Sequence, residues 1–301
     1  ILNKVSDIDV DVDDNDNDYN NNDNDTRKLK KSPLMEAASF DSFEIVKYLI
    51  EEKRLNIDIN SYDEYGRTAL YRAVENNNIE MVKYLCTFHQ NDNDDNSDKS
   101  NKSNKSKLIT SRQPHSLQII NESRTTKKEF QNIFSPIVLA SLFDRNDIVK
   151  ILIEDGNVDI DEYHYDPVNI DNSRGTILNI SSSLKNLELT KYILNKSKKS
   201  LYIPLHTDSG EYPIHQAVYV YSNNWNMTEN QRKKKNEITE EILDLLILNS
   251  NDHDYINSRD EDGHTPLYNA TKQKNLDLVK ILVHKYNAKI DVRGFIANDK
   301  Y

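Results

Sequence analysis

The sequence predicts an all-α solenoid of stacked helix-turn-helix units joined by β-turn or hairpin loops. Three features carry that expectation. An aliphatic residue recurs at Leu34, Leu70, Ile137, Leu178, Ile214 and Leu267, and three positions later stands a small one: Ala37, Ala73, Ala140, Ser181, Ala217 and Ala270. A second core position follows after twelve residues at Val46, Val82, Val149, Thr190 and Val279, and after twenty-nine at Leu243, which implies an insertion of seventeen. Two positions before each of these an acid opens the second helix: Glu44, Glu80, Asp147, Glu188, Glu241 and Asp277. Recurrence of a whole pattern marks a repeat array, in which each unit is too small to bury its apolar face alone.

The sharpest unit runs from Ile256 to Val292. Asp260 and Gly263 mark a tight turn, glycine being the residue that accepts positive φ without steric cost. Thr265 is placed to cap a short helix, with Pro266 at its first position, where a missing N–H costs nothing. Leu267 and Ala270 form the apolar face of that helix, and Leu276, Leu278, Val279, Ile281, Leu282 and Val283 that of a longer second one. The string Asp260, Gly263, Thr265, Pro266, Leu267 and Ala270 resembles the ankyrin-repeat signature, with Tyr268 in place of its usual histidine. The resemblance implies an ankyrin solenoid of about six units.

Taken in order, residues 1–31 hold the acidic tract Asp7 to Asp25 and are expected to be a disordered tail. Its alternating acids lack the glycine and glutamate of a calcium loop, since Asp14 and Asn20 stand at those places counting from Asp9. The first unit, 32–60, starts at Ser32-Pro33-Leu34, and the second, 61–89, holds Gly66, Thr68, Leu70 and Ala73. An insertion at 90–134 opens with Asn, Asp, Ser and Lys, which cannot offset ordering entropy by burial. It is either a long excursion or a degenerate extra unit. The first two units should be the most regular pair, and the third unit spans 135–161. The fourth, 171–200, places Ser181 and Thr190 toward the core and is expected to be the least stable.

In the fifth unit, 207–250, Thr228 with Gln231 forms a capping box, so its second helix should run from near Glu229 to Leu248, after an insertion at 221–236. The sixth, 257–292, keeps an apolar second helix, and residues 293–301 read as the start of a further repeat, so the natural chain is expected to continue.

Composition limits the function classes. A net charge of −11 argues against general nucleic-acid affinity. The single cysteine, Cys86, allows no intramolecular disulfide, and no apolar run is long enough to span a membrane. An intracellular protein, cytoplasmic with the nucleus open, is the default expectation. No nucleophile elbow, phosphate loop or zinc-helix motif occurs, so no catalysis and no cofactor are expected. His206 and His215 lack further ligands at metal spacing. Arg232 to Lys235 reads as a solvated helical face, and Trp225 as either an interface anchor or a cover for its own insertion.

The resemblance implies where a protein partner would sit: on the turn tips and the concave face of the short helices. Those positions are Phe40 in the first unit, Glu64, Tyr65, Arg67, Glu75 and Asn76 in the second, Phe143 in the third, and Glu261, Asp262, His264, Lys272 and Gln273 in the sixth. The function expected is a non-catalytic protein-binding scaffold. The alternative is a recruiting module of a larger ligase or kinase.

Overall fold

The computed structural model describes residues 32–52, 57–63, 66–88, 134–165, 174–197, 207, 210–219, 227–250, 252 and 254–291. The acidic tail, the segment 89–133, Glu64, Tyr65, His206, Trp225 and residues 293–301 lie outside them.

Six helix pairs follow one another, each an inner helix and an outer one. They are α1 (Pro33–Ser39) with α2 (Phe43–Glu51), α3 (Ala69–Glu75) with α4 (Ile79–Phe88), and α5 (Pro136–Leu142) with α6 (Asn146–Glu154). Then come α7 (Ile177–Leu184) with α8 (Leu187–Lys196), α9 (Pro213–Val218) with α10 (Glu229–Asn249), and α11 (Pro266–Lys272) with α12 (Leu276–His284). Two strands, β1 (His164–Tyr165) and β2 (Arg174–Gly175), pair antiparallel ahead of α7. The architecture is the all-α solenoid that the spacing predicts.

Local chemistry explains where the helices start. Ser32, Thr68 and Thr265 accept the N–H of Met35, Tyr71 and Tyr268 at 3.2, 3.2 and 3.3 Å, satisfying donors that the first helical turn leaves open. Asn78, Asn186 and Asn275 do the same for α4, α8 and α12. Thr228 and Gln231 close a reciprocal box at the start of α10, which begins at Glu229 as its sequence predicts.

Between inner and outer helix the chain turns through one left-handed residue: Asp41, Asn77, Asp144, Lys185 or Lys274, with φ between 57° and 60°. That conformation lets the next N–H reach back to the small-residue carbonyl, as in Ser42 to Ala37 (2.9 Å), Asn78 to Ala73 (3.0 Å) and Arg145 to Ala140 (2.9 Å). The small residue is buried in all six units, and in five of them it sits at this corner, which explains its recurrence.

Inner helices stack in the order α1, α3, α5, α7, α9, α11, and outer helix α4 lies against α6, α8 against α10 and α10 against α12. The repeated aliphatic positions of the inner helices are buried; on the outer helices Val46, Val82, Val149, Thr190 and Leu243 are fully so, and Val279 is half-buried. Truncating such a leucine or valine removes apolar contact and leaves a cavity, costing on the order of 2–5 kcal/mol for leucine to alanine. Helix α3 packs directly on α5, and α4 on α6. The second and third described units are therefore neighbours in space.

The fourth unit replaces the Asp-Gly turn by the β1–β2 pair. Gly175 is needed there, because a Cβ would stand 2.9 Å from the Asn179 Cβ. Its polar core positions are partly satisfied: the Thr190 hydroxyl lies 3.1 Å from the Ser181 hydroxyl and donates to Asn186 O at 2.8 Å. Ser182 Oγ and Ser183 Oγ are buried without a hydrogen-bond partner. The fifth unit is irregular in a different way. Helix α10 has 21 residues where the other outer helices have 9 or 10, and residues 229–234, which begin it, are exposed on every side.

Candidate partner-binding surface

At the second unit, Asp63 organises the turn tip. Its carboxylate is 2% exposed, and it accepts the Arg67 N–H at 2.9 Å, Arg67 Nε at 2.9 Å and Arg72 Nη2 at 3.4 Å. Arg72 also donates to Glu75 at 2.7 Å. Gly66 takes φ 76° to complete the turn. Arg67 and Glu75, two of the surface positions singled out in the sequence, thus belong to one ion-pair network that holds the tip.

Asn76 has a structural task. Its amide donates to Ala38 O and Ser39 O, both at 3.0 Å, and so caps the end of α1 from the next unit. Arg145 repeats the device one unit on, donating to Val74 O and, at 2.9 Å, to Glu75 O. The Arg145 guanidinium also covers the Phe143 ring, 4.8 Å from its centroid, and Phe143 is half-buried against the core. Phe40 differs from its counterpart, being 73% exposed at the end of α1.

The sixth unit is built on the same plan. Asp260 Oδ1 accepts the His264 N–H at 2.7 Å and the Asp262 N–H at 3.0 Å, so a buried carboxylate again fixes the backbone of the tip. Glu261, Asp262 and Lys272 are exposed, and His264 and Gln273 half-buried. The His264 ring stacks on Tyr268 at 3.9 Å with 4° between the planes. Tyr268, 41% exposed, occupies the position where the fifth unit has His215.

His215 shows what that position does inside the array. Its Nδ1 accepts the Tyr212 N–H at 3.1 Å, while Nε2 faces Ser258 O at 3.0 Å and His264 O at 3.1 Å. The ring must therefore be neutral with its proton on Nε2. Burial holds its pKa down at about 4. Gly210 locks the same junction: with φ at +72°, a Cβ there would fall 2.8 Å from Glu261 N.

The buried thiol of Cys86 is pushed up to about 12 by burial, so its thiolate is scarce at neutral pH. Among the described residues there is no group of three or more His, Cys, Asp and Glu able to hold a metal ion. Nor is any described helix long and apolar enough to cross a membrane. Sequence reasoning missed three features: the carbonyl-capping side chains of Asn76 and Arg145, the stacked His264–Tyr268 pair, and the exposed Ile45 and Tyr48 at the first unit. A polar residue at a corner and an aliphatic one on an outer helix carry no local sign of these contacts.

Comparison with known proteins places this geometry. The family described as "Ankyrin repeats (3 copies)" matches residues 10–97, and "Ankyrin repeat" matches residues 262–295. The chain is 24% identical over 278 residues to human transient receptor potential cation channel subfamily A member 1, covering 88% of this chain and 19% of that protein. It is 25% identical over 292 residues to the NAD-dependent deacetylase sir2B of Dictyostelium discoideum, covering 87% of this chain and 35% of that protein. The chain thus spans about a fifth and about a third of these two relatives. Among solved structures, the ankyrin repeat domain of Bcl-3 aligns with a TM-score of 0.54 at 17% identity, covering 88% of this chain and 90% of that one. An ankyrin repeat domain from Acinetobacter baumannii aligns at 0.52 and 19%, covering 85% and 98%. A chain in the complex of the Bdellovibrio bacteriovorus predatory endopeptidase Bd0816 with immunity protein Bd3460 aligns at 0.53 and 20%, covering 85% and 100%.

Proposed function

We propose that this chain, an ankyrin-repeat protein, is a non-catalytic scaffold that binds another protein through its turn tips and the concave face beside them. The observation that carries the reading is the pair of turns fixed from within by Asp63 and Asp260. A tip whose backbone is already bonded loses little freedom on binding, so exposed groups upon it contribute more of their contact energy to affinity. Glu261, Asp262 and Lys272 are such groups, and Phe40 adds an apolar anchor on the same surface. Arg67, Glu75 and His264 form the half-fixed rim. Gln273 completes the surface, Glu64 and Tyr65 are proposed for it from the sequence alone, and Asn76 and Phe143 hold its shape.

A second reading is favoured by one observation: the chain matches only 35% of the deacetylase and 19% of the channel. On that reading the array recruits a partner or substrate for a larger protein whose activity resides in other residues.

The test is affinity capture with the full chain and a variant carrying Phe40→Ala, Asp262→Lys and Lys272→Glu. None of these three side chains holds the tip backbone or a neighbouring unit, so the circular dichroism spectrum should be unchanged. The expected result is a protein retained by the parent and lost by the variant. Equal retention of every captured protein by both would show that this surface is not the binding face.

A further inference from the structure

Helix α10 extends past the stack, and the side chains it carries there are positive. The core position is the fourth residue of every other outer helix, whereas Leu243 is the fifteenth of α10, so three more turns, roughly 16 Å, precede its regular start. The lower of these turns are seated. Asn236 and Thr239 are buried, and the Asn236 and Asn275 side-chain amides bond each other at 3.1 and 3.4 Å. Spacings of three and four residues carry this seated line from Leu243 through Thr239 and Asn236 up to Arg232, yet Arg232 is exposed, as are Lys233 and Lys234.

Helix stability does not account for these cations. They begin at the fourth residue of α10, near the positive end of the helix dipole, where a cation gains nothing. Among the described residues none of Arg232, Lys233 and Lys234 pairs with a carboxylate, although Glu229 and Glu237 stand one turn to either side of Lys233. Lys150, Lys196 and Lys285, by contrast, each hold one.

The surrounding edge has the same sign. The left-handed residue between inner and outer helix is Asp41, Asn77 or Asp144 in the first three units, but Lys185 in the fourth and Lys274 in the sixth. Lys274 is exposed and precedes Asn275, the partner of Asn236. Lys185 donates to Gln216 O at 3.0 Å and to Ala217 O, and burial, then the charge of Lys235, lowers its pKa. Of the acids that open the flanking outer helices, Glu188 is already held by Lys150 at 2.9 Å. A chain of net charge −11 thus gathers unpaired positive charge at one place, at the opposite end of the inner helices from the turn tips. Such a patch attracts an anion, while the acids of the rest of the chain repel a long polyanion such as a nucleic acid. A short acidic segment meets only the patch.

We propose that the projecting turns of α10, with Lys274 beside them, are the docking site of an Asp- and Glu-rich segment of a partner protein. Arg232, Lys233 and Lys234 supply the charge, and the seated Asn236 and Thr239 hold the projecting turns in place. The site is separate from the turn-tip surface and does not depend on it.

Fluorescence anisotropy with the full chain and a labelled oligoglutamate peptide tests this, beside the variant Arg232→Glu/Lys233→Glu/Lys234→Glu. The three side chains are exposed and glutamate suits the start of a helix, so the circular dichroism spectrum should not change. The expected result is salt-sensitive binding to the parent that weakens at least about tenfold in the variant. Reversing the exposed Lys47 and Lys83 of the first two units instead should leave it within about twofold. No binding by the parent, or an equal loss in the Lys47→Glu/Lys83→Glu control, would overturn the proposal. So would a DNA duplex or an anionic vesicle that binds the same three residues more tightly than the peptide does.

Discussion

His215 holds a conformation that only the neutral ring supports, and His164 is buried beside a serine hydroxyl. His215 accepts the Tyr212 N–H through Nδ1, and His164 lies with Nδ1 3.0 Å from the Ser135 hydroxyl. Burial lowers both pKa values from the ordinary 6.5 to about 4. The unfolded chain therefore takes up protons near pH 6.5 that the folded one refuses until about pH 4. Stability should be flat above pH 6.5 and fall steadily below it, each ring contributing up to about 3 kcal/mol by pH 4. Urea unfolding from pH 7.5 to 4 reads the slope, and histidine resonances still unprotonated near pH 5 would assign it to these two rings. Titration of both near 6.5 would remove this account. Lys274 offers a second residue-level case, because it is exposed and carries a β-carbon at φ 58°. Lys274→Gly should raise stability by about 0.5–1 kcal/mol, measured by chemical denaturation, since relief of the left-handed strain exceeds the entropy glycine adds to the unfolded chain.

At the scale of the helix pair, the residues that point inward were legible in the sequence and those that point along the stack were not. Leu70 and Val82 are spaced by the pitch of their own helices, so their burial follows from local order alone. The capping threonines Thr228 and Thr265 were equally plain, because cap chemistry spans three residues. Asn76 was placed on the concave face by its position, yet it bonds carbonyls 37 and 38 residues earlier, a partnership that only stacking creates. Arg67 and Glu75 were read as surface charges for the same reason, since the bridging role of Arg72 becomes visible only once the turn closes on Asp63. The buried serines of α7 give the element-level prediction. Ser182 Oγ has lost its water and gained no partner, so Ser182→Ala should stabilise the chain by about 1 kcal/mol. Thr190→Val, by contrast, should destabilise it by a similar amount, as it removes a buried hydroxyl that donates to Asn186 O and lies against Ser181 Oγ. Equilibrium urea curves for the two variants should thus move in opposite directions.

Across the whole molecule, a solenoid holds together only through its successive junctions, so its weakest junction sets how it comes apart. The first three units are joined by Asn76 and Arg145 capping across the stack, and the last two by His215 and the close approach of Gly210 to Glu261. The fourth unit sits between these blocks with two orphaned hydroxyls in its inner helix. Its link to the third relies on Asn186 with Asp144 and Asn146, at 2.7 and 2.8 Å, and on the ion pairs Lys150–Glu188 and Lys196–Glu154. Ion pairs of such exposure contribute little and weaken further with salt. Unfolding should therefore depart from a single two-state transition, with the amides of α7 and α8 exchanging ahead of those in α3 to α6. Raising the salt concentration should widen the gap by loosening the same junction. The double variant Ser182→Ala/Ser183→Ala should close it, because removing both unsatisfied groups strengthens the middle of the array while leaving the two end blocks as they are. Hydrogen exchange followed by mass spectrometry resolves these regions, and uniform protection from α3 through α12 in the parent chain would show that the fourth unit is no weaker than its neighbours.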